Sequence, residues 1–172
     1  MNKQKHKICW IIATWFGSGL LPKAPGTWGS LAAIPFAYIM SVYTCPYALI
    51  SGTVALFFIG IWASDKIEES AQKKDPGFIV VDEVVGQWIA LLPLPFLYSI
   101  LDHSSFYFFS APVAVLAFIA FRIFDIWKPW PVSYADKNVH GGYGIMLDDV
   151  IAGMYALIIT SALTAGMVMI FL

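Results

Sequence analysis

Charge is scarce in this chain. Lys, Arg, Asp and Glu make up 12% of its 172 residues against 59% hydrophobic residues, and the mean hydropathy is +0.74, whereas an ordinary soluble domain carries roughly 25% charged residues. That balance excludes a soluble globular domain and predicts a membrane protein. Neither sign of charge dominates: the net charge is −1, and no basic patch suggests a nucleic-acid partner. Cysteine is nearly absent. Cys9 and Cys45 form no Cys-x-x-Cys pair, and neither opens the Cys-x5-Arg loop of thiol phosphatases, because the residues six further on are Trp15 and Ser51. Both read as small apolar side chains in a reducing setting. The length allows one domain, residues 1–172, and leaves no room for a separate soluble module.

Several signatures of phosphate chemistry are missing too. The chain has no Gly-Lys-Ser/Thr triplet of a Walker A loop. It lacks the Asp-x-Asp-x-Thr/Val of haloacid dehalogenases, the Pro-Ser-Gly-His of vanadate-type lipid phosphatases and the Asp-Gly-x-x-Ala-Arg of CDP-alcohol transferases.

The few charges are gathered. All ten Lys and Arg, and every Asp and Glu except Asp102, fall in Met1 to Ser30, Ser64 to Gln87 and Arg122 to Asp149. Between and after them lie apolar runs at Leu31 to Tyr43, Tyr47 to Ala63, Trp88 to Leu101, Phe106 to Phe121 and Val150 to Leu172. Only the last has the roughly 20 residues that a helix needs to cross the hydrocarbon core unaided. The expected fold is therefore all-α: a membrane-embedded bundle of roughly four or five apolar helices, some short or tilted. Pro35, Pro93, Pro95 and Pro112 should kink these helices or mark their ends. Threading the runs in turn brings all three polar stretches to one face. Lys and Arg collect on the cytoplasmic side, which places that face and the N-terminus inside, the turns at Ser41 to Cys45 and Asp102 to Ser105 outside, and the C-terminus outside if every run crosses. Lys3, Lys5 and Lys7 before Ile8 resemble the start of a signal peptide, but Gly17, Gly19, Pro22 and Pro25 interrupt the run, so retention is expected.

Four motifs share the polar face. Lys23-Ala-Pro-Gly-Thr-Trp-Gly-Ser30 reads as a Gly- and hydroxyl-rich loop leading into a helix from Leu31, with Ser30 as N-cap; free N–H groups there attract phosphate. Val81-Asp-Glu-Val-Val-Gly86 and Leu147-Asp-Asp-Val-Ile-Ala152 align without a gap. Each places an acidic pair at the mouth of an apolar helix with a small residue one turn further in, so two helices can approach and bring the pairs together. Adjacent helical residues point about 100° apart, so one member of each pair can ligate while the other orients. Four carboxylates beside apolar segments repel unless a cation joins them, and oxygen ligands suit Mg²⁺ or Mn²⁺ better than zinc. The remaining reading is that carboxylates simply favour a helix N-terminus. Phe121-Arg-Ile-Phe-Asp-Ile-Trp-Lys-Pro-Trp-Pro131 closes an apolar helix with Arg122 and Asp125 on one face. Its Arg122 and Lys128 either snorkel to the interface, with Trp127 and Trp130 as anchors, or hold phosphate. Finally, Asn138-Val-His-Gly-Gly-Tyr-Gly144 leads into the second acidic pair. Its His140 reads as structural more readily than as a general acid, while His6 and His103 have no catalytic neighbours.

Together, Lys-x-Pro-Gly-Thr-x-Gly-Ser, Val-x-Asp-Glu-x-x-Gly, Phe-Arg-x-Phe-Asp-x-x-Lys-Pro-Trp-Pro and Asp-x-Asn-x-His-Gly-Gly-x-Gly-Ile-Met-x-Asp-Asp resemble phosphatidylglycerophosphatase A from about Gly17 to Gly153. The resemblance implies a bacterial inner-membrane enzyme, all-helical and Mg²⁺-dependent. It would remove the terminal phosphate of the phospholipid phosphatidylglycerophosphate at the cytoplasmic face. It implies Asp82, Glu83, Asp148 and Asp149 as metal or catalytic carboxylates, joined by Asp125 as a metal candidate. Arg122 and Lys128 become catalytic cations, and Lys23, Gly26, Thr27, Gly29 and Ser30 phosphate contacts. The competing expectation is a small ion or metal transporter using the acidic pairs as an ion site. The absence of a polar path towards the opposite face favours the enzyme.

Overall fold

The computed structural model describes residues 7–45 and 47–171; Lys3, Lys5, His6 and Leu172 lie outside them. The chain runs through α1 (Lys7–Ala13), a single 3-10 turn (Ser18–Leu20), α2 (Pro25–Tyr43), α3 (Ala48–Ala71), α4 (Val81–Ala90), α5 (Pro93–Ile100), α6 (His103–Trp127), α7 (Val132–Asn138) and α8 (Gly141–Phe171). No strand occurs among the described residues, so the fold is the expected all-α bundle. Four helices are long and apolar enough to cross a membrane: α3, the continuous Val81–Ile100 segment, α6 and α8. α2 is not among them. Its apolar part, Leu31 to Tyr43, spans about 20 Å at 1.5 Å per residue, but the whole helix of 19 residues spans about 28 Å and so can carry the chain from the polar face to the far end. Pro93 opens α5 one turn after α4 ends, whereas Pro35 and Pro112 lie inside α2 and α6.

Two helix starts differ from expectation. Residues 25–30 are not a loop: α2 begins at Pro25, whose fixed φ and missing N–H suit a first helical position. Ser30 is therefore not an N-cap but an interior residue, and its hydroxyl donates to the Gly26 carbonyl at 2.9 Å. Likewise the Gly-rich segment after His140 is the start of α8. Its Gly142 N–H donates to the Asp65 carboxylate of α3 at 2.5 Å, a cap from another helix that sequence proximity could not reveal. Asp148 and Asp149 consequently sit about two turns inside α8 rather than at its mouth.

Asp102, the one charge at the far end, is the N-cap of α6 and accepts from the Ser104 and Ser105 N–H groups. These hydrogen bonds hold its carboxyl below the usual carboxylate range.

α4 occupies the middle of the bundle and packs against α8, α2, α3 and α6. Val84, Trp88 and Leu91 join one buried cluster, while Val81, Val85 and Ile89 join a second. Trp88 Nε1 donates to the Ala33 carbonyl of α2 at 2.9 Å. α4 and α8 cross closely at two glycines: a Cβ on Gly86 would lie 2.7 Å from the Asp149 carbonyl, and one on Gly153 2.6 Å from the Gly86 carbonyl. Small residues do join the two acidic helices, although the partner on α8 is Gly153 rather than the aligned Ala152. Gly86→Val should therefore lower the detergent thermal midpoint, at a cost of about 1–3 kcal/mol in overpacking. An unchanged midpoint would contradict so close a crossing.

The expected lack of polar groups below the polar face needs correction. Gln87, Thr160 and Thr164 are buried in the spans. None is ionisable, so they carry no charge across the bundle.

Candidate active site

Six helices, α2, α3, α4, α6, α7 and α8, converge at one end of the bundle around a cavity of about 740 Å³. From α4 come Asp82 and Glu83, and from α8 Asp149; each offers one carboxylate oxygen, and these three oxygens lie within 4.8 Å of one another. The helix crossing at Gly86 and Gly153 makes that possible, since only glycines let the backbones come close enough for carboxylates of both helices to meet. Asp82 Oδ1 and Glu83 Oε2 are buried with no hydrogen-bond donor. Three clustered carboxylates with donor-free buried oxygens fit a hard divalent cation, which supplies the charge that protein donors here do not.

Asp148 and Asp125 stand outside that trio. Asp148 Oδ2 accepts from Lys128 Nζ at 2.7 Å, and Asp125 Oδ2 pairs with Arg122 Nη1 at 2.5 Å while also neighbouring Asp149. Each acidic pair thus behaves differently: both members of Asp82–Glu83 enter the cluster, but Asp149 enters without Asp148.

The cations are fixed by their elements. Lys128 ends α6 in a left-handed conformation, φ 46°, before Pro129, which disfavours further helix. There its Nζ bridges Asp136 Oδ1 at 2.6 Å and Asp148 Oδ2 at 2.7 Å. Burial alone would lower its pKa, but these two carboxylates outweigh burial and raise it, so the ammonium stays protonated. Arg122, six residues earlier, reaches Ser30 Oγ of α2 with Nη1 at 3.4 Å, and its Nε has no partner. Gly26 leaves room for this meeting, because a Cβ there would collide with the Glu83 carboxylate and stand 3.2 Å from Arg122 Nη1.

The expected phosphate loop is only partly present in the cavity. Gly26 lines it and Ser30 touches Arg122, whereas Lys23 and Thr27 do not line it and Gly29 packs against Val80. The second half of the wall was not expected as a site: Glu68, Lys74, Asp75, Asp136 and Lys137, together with His140, which the sequence favours as structural over a general acid. Asp75 has a left-handed backbone, φ 42°, and its N–H donates to Glu68 Oε1 at 3.1 Å. Asp136 opens the Asp-x-Asn-x-His-Gly-Gly motif, five residues before Gly141, and that place was the only available signal. In all, eight carboxyl and four Lys or Arg side chains line the cavity, four more acidic than basic groups.

The model of the phosphatidylglycerophosphatase A family matches residues 11–164. The chain belongs to the phosphatidylglycerophosphatase A family. It is thus a phosphatase by kinship, and the transporter alternative falls away. The phosphatidylglycerophosphatase A of Escherichia coli K12 is 43% identical over 145 residues, covering 84% of this chain and 76% of that protein. The Haemophilus influenzae protein of the same name is 37% identical, covering 89% and 86%. A Bacteroides thetaiotaomicron protein provisionally named phosphatidylinositol-3-phosphatase is 44% identical, covering 87% and 89%. No solved structure matches the chain. The four motifs that define the polar face all lie inside the family match, and each contributes to the cavity wall, which Glu68, Lys74 and Asp75 complete from outside them.

Proposed function

We propose that this phosphatidylglycerophosphatase A relative hydrolyses the terminal phosphomonoester of phosphatidylglycerophosphate to phosphatidylglycerol and phosphate, with Mg²⁺, at the cytoplasmic face of a bacterial inner membrane. The observation that carries the reading is the charge imbalance of the cavity. A phosphate monoester is an anion, and a cavity with four more acidic than basic side chains suits it only when a divalent cation offsets the carboxylates. Asp82, Glu83 and Asp149 are the residues that would hold it. When bound, Mg²⁺ polarises phosphoryl oxygens and lowers the pKa of a water. Arg122 presents a planar fork to the equatorial oxygens, anchored by Asp125 so that it need not reorganise as charge develops. Lys128 adds a point charge, oriented by Asp136 and Asp148.

Phosphate release from phosphatidylglycerophosphate in detergent should require Mg²⁺, stop with chelator and return on adding the ion back. The Bacteroides relative supports phosphatidylinositol 3-phosphate as a second substrate to assay in parallel. Faster turnover of the inositol lipid would reverse the assignment, and release unaffected by chelator would remove the metal.

Sidedness follows from the charge distribution. In a background without Cys9 and Cys45, cysteines at positions 23, 74 and 137 should resist a membrane-impermeant maleimide in intact cells, while one at 102 should react. Labelling at 74 but not at 102 would invert the topology.

A further inference from the structure

The outer face of α6 carries a second concavity. It is an apolar groove lined by Phe118, Ile119, Arg122, Ile123, Ile126 and Trp127, all from the last three turns of the helix. These positions recur at intervals of three and four, so they form one stripe along the helix. Ile119, Ile123, Ile126 and Trp127 are exposed, as lipid-facing residues of a span should be. What sets this face apart from the exposed faces of α3 and α8 is continuity: Arg122 and Ile126 line both the groove and the acidic cavity. One wall separates bilayer from active site, and its two sides are built from the same two residues.

We infer that this groove seats the proximal acyl chain of the lipid substrate, so that the headgroup passes sideways from the bilayer into the cavity over Arg122 and Ile126. This rests on the lipid-phosphomonoester reading above. Trp127 and Trp130, both strongly exposed, mark the interface at this end. Arg122 lies about 7 Å below Trp127 along the helix axis, at 1.5 Å per residue. A phosphate held by Arg122 is therefore deeper than the interfacial tryptophans, while the chains that carry it stay in the hydrocarbon. A lateral opening satisfies both conditions. The arginine suits the wall, since its aliphatic stem can face lipid while its guanidinium faces the carboxylates. Because bilayer chains are as apolar as the groove, seating a chain there yields little affinity. Its effect is alignment, and should appear in the specificity constant for lipid alone.

Ile119→Trp and Ile123→Trp fill the groove from two positions that do not themselves line the cavity, and Val54→Trp on the exposed face of α3 serves as control. With phosphatidylglycerophosphate in mixed micelles, the groove variants should lose up to about 10²-fold in kcat/KM, the scale on which substrate misplacement acts. With the deacylated, water-soluble headgroup phosphate they should match the parent, and Val54→Trp should match it on both substrates. Equal losses on both substrates, or no loss on either, would overturn the groove. A direct readout covers the case in which the soluble compound is too poor a substrate. Phosphatidylglycerol with a photoreactive acyl chain should crosslink the α6 stripe well above the Val54 face, and equal labelling would refute the inference. A parent enzyme inactive on the lipid itself would instead refute the proposed function, while groove crosslinking would still report on the chain site.

Discussion

Replacing Asp82, Glu83 or Asp149 with its amide is expected to lower turnover about 10²- to 10³-fold, the scale on which loss of one preorganised electrostatic partner acts, without unfolding the bundle. Their carboxylate oxygens lie within 4.8 Å of one another, and two of the buried oxygens have no donor. Without metal, removing one charge relieves repulsion, so in chelator each variant should melt no lower than the parent. Mg²⁺ should raise the parent's midpoint, because a ligand that binds only the folded state stabilises it, and should raise the variants' much less. Asp148→Asn should behave differently. Asp148 orients Lys128 and stands outside the trio, so a loss of about 10- to 100-fold with the Mg²⁺ stabilisation preserved is expected, as for partners that position a ligand. If Asp82→Asn and Asp149→Asn kept full activity and the parent's response to Mg²⁺, the shared cation site would be wrong.

Much of the fold was legible because a bilayer imposes one rule on the whole chain. Apolar runs must span or pack, and charges must leave the hydrocarbon, so ten Lys and Arg confined to three stretches already bring the motifs to one end. The acidic helices were legible through Gly86 and its neighbours, because small residues mark close crossings. What failed was local. Ser30 looked like a cap since hydroxyls favour that position, but Pro25 supplies an equally good start five residues earlier, and sequence alone does not rank the two. The glycines from Gly141 read as a loop because the residue that caps the helix there, Asp65, is remote in sequence. Asp75 was invisible for a related reason: its place in the cavity depends on the turn between α3 and α4, which has no periodicity to read. The pairing of Asp148 with Lys128 depends on where α6 stops, and a helix end is uncertain by more than the width of that contact.

Arg122→Lys should abolish most activity while leaving membrane insertion and the Mg²⁺ response intact. A snorkelling arginine needs only charge and an aliphatic stem, and lysine supplies both. The guanidinium here has more specific surroundings: Nη1 meets Asp125 at 2.5 Å and Ser30 Oγ at 3.4 Å, while Nε remains buried and unpartnered. A planar fork held on one side by Asp125 leaves its other donors for oxygens of a bound phosphate, a geometry that the ammonium cannot reproduce. The expected loss is about 10²-fold, the cost of removing one preorganised donor from a developing anion. It should fall on kcat more than on KM if the fork grips the transferring group in the transition state. Lys128 is the comparison within the same cavity. Its two carboxylate partners lie at 2.6 and 2.7 Å and keep it protonated, so its contribution is a positioned charge and Lys128→Arg should be the milder change. Should Arg122→Lys match the parent at both limiting and saturating substrate, the phosphate role would fail, and Arg122 would serve only to carry the α6 wall through the interface.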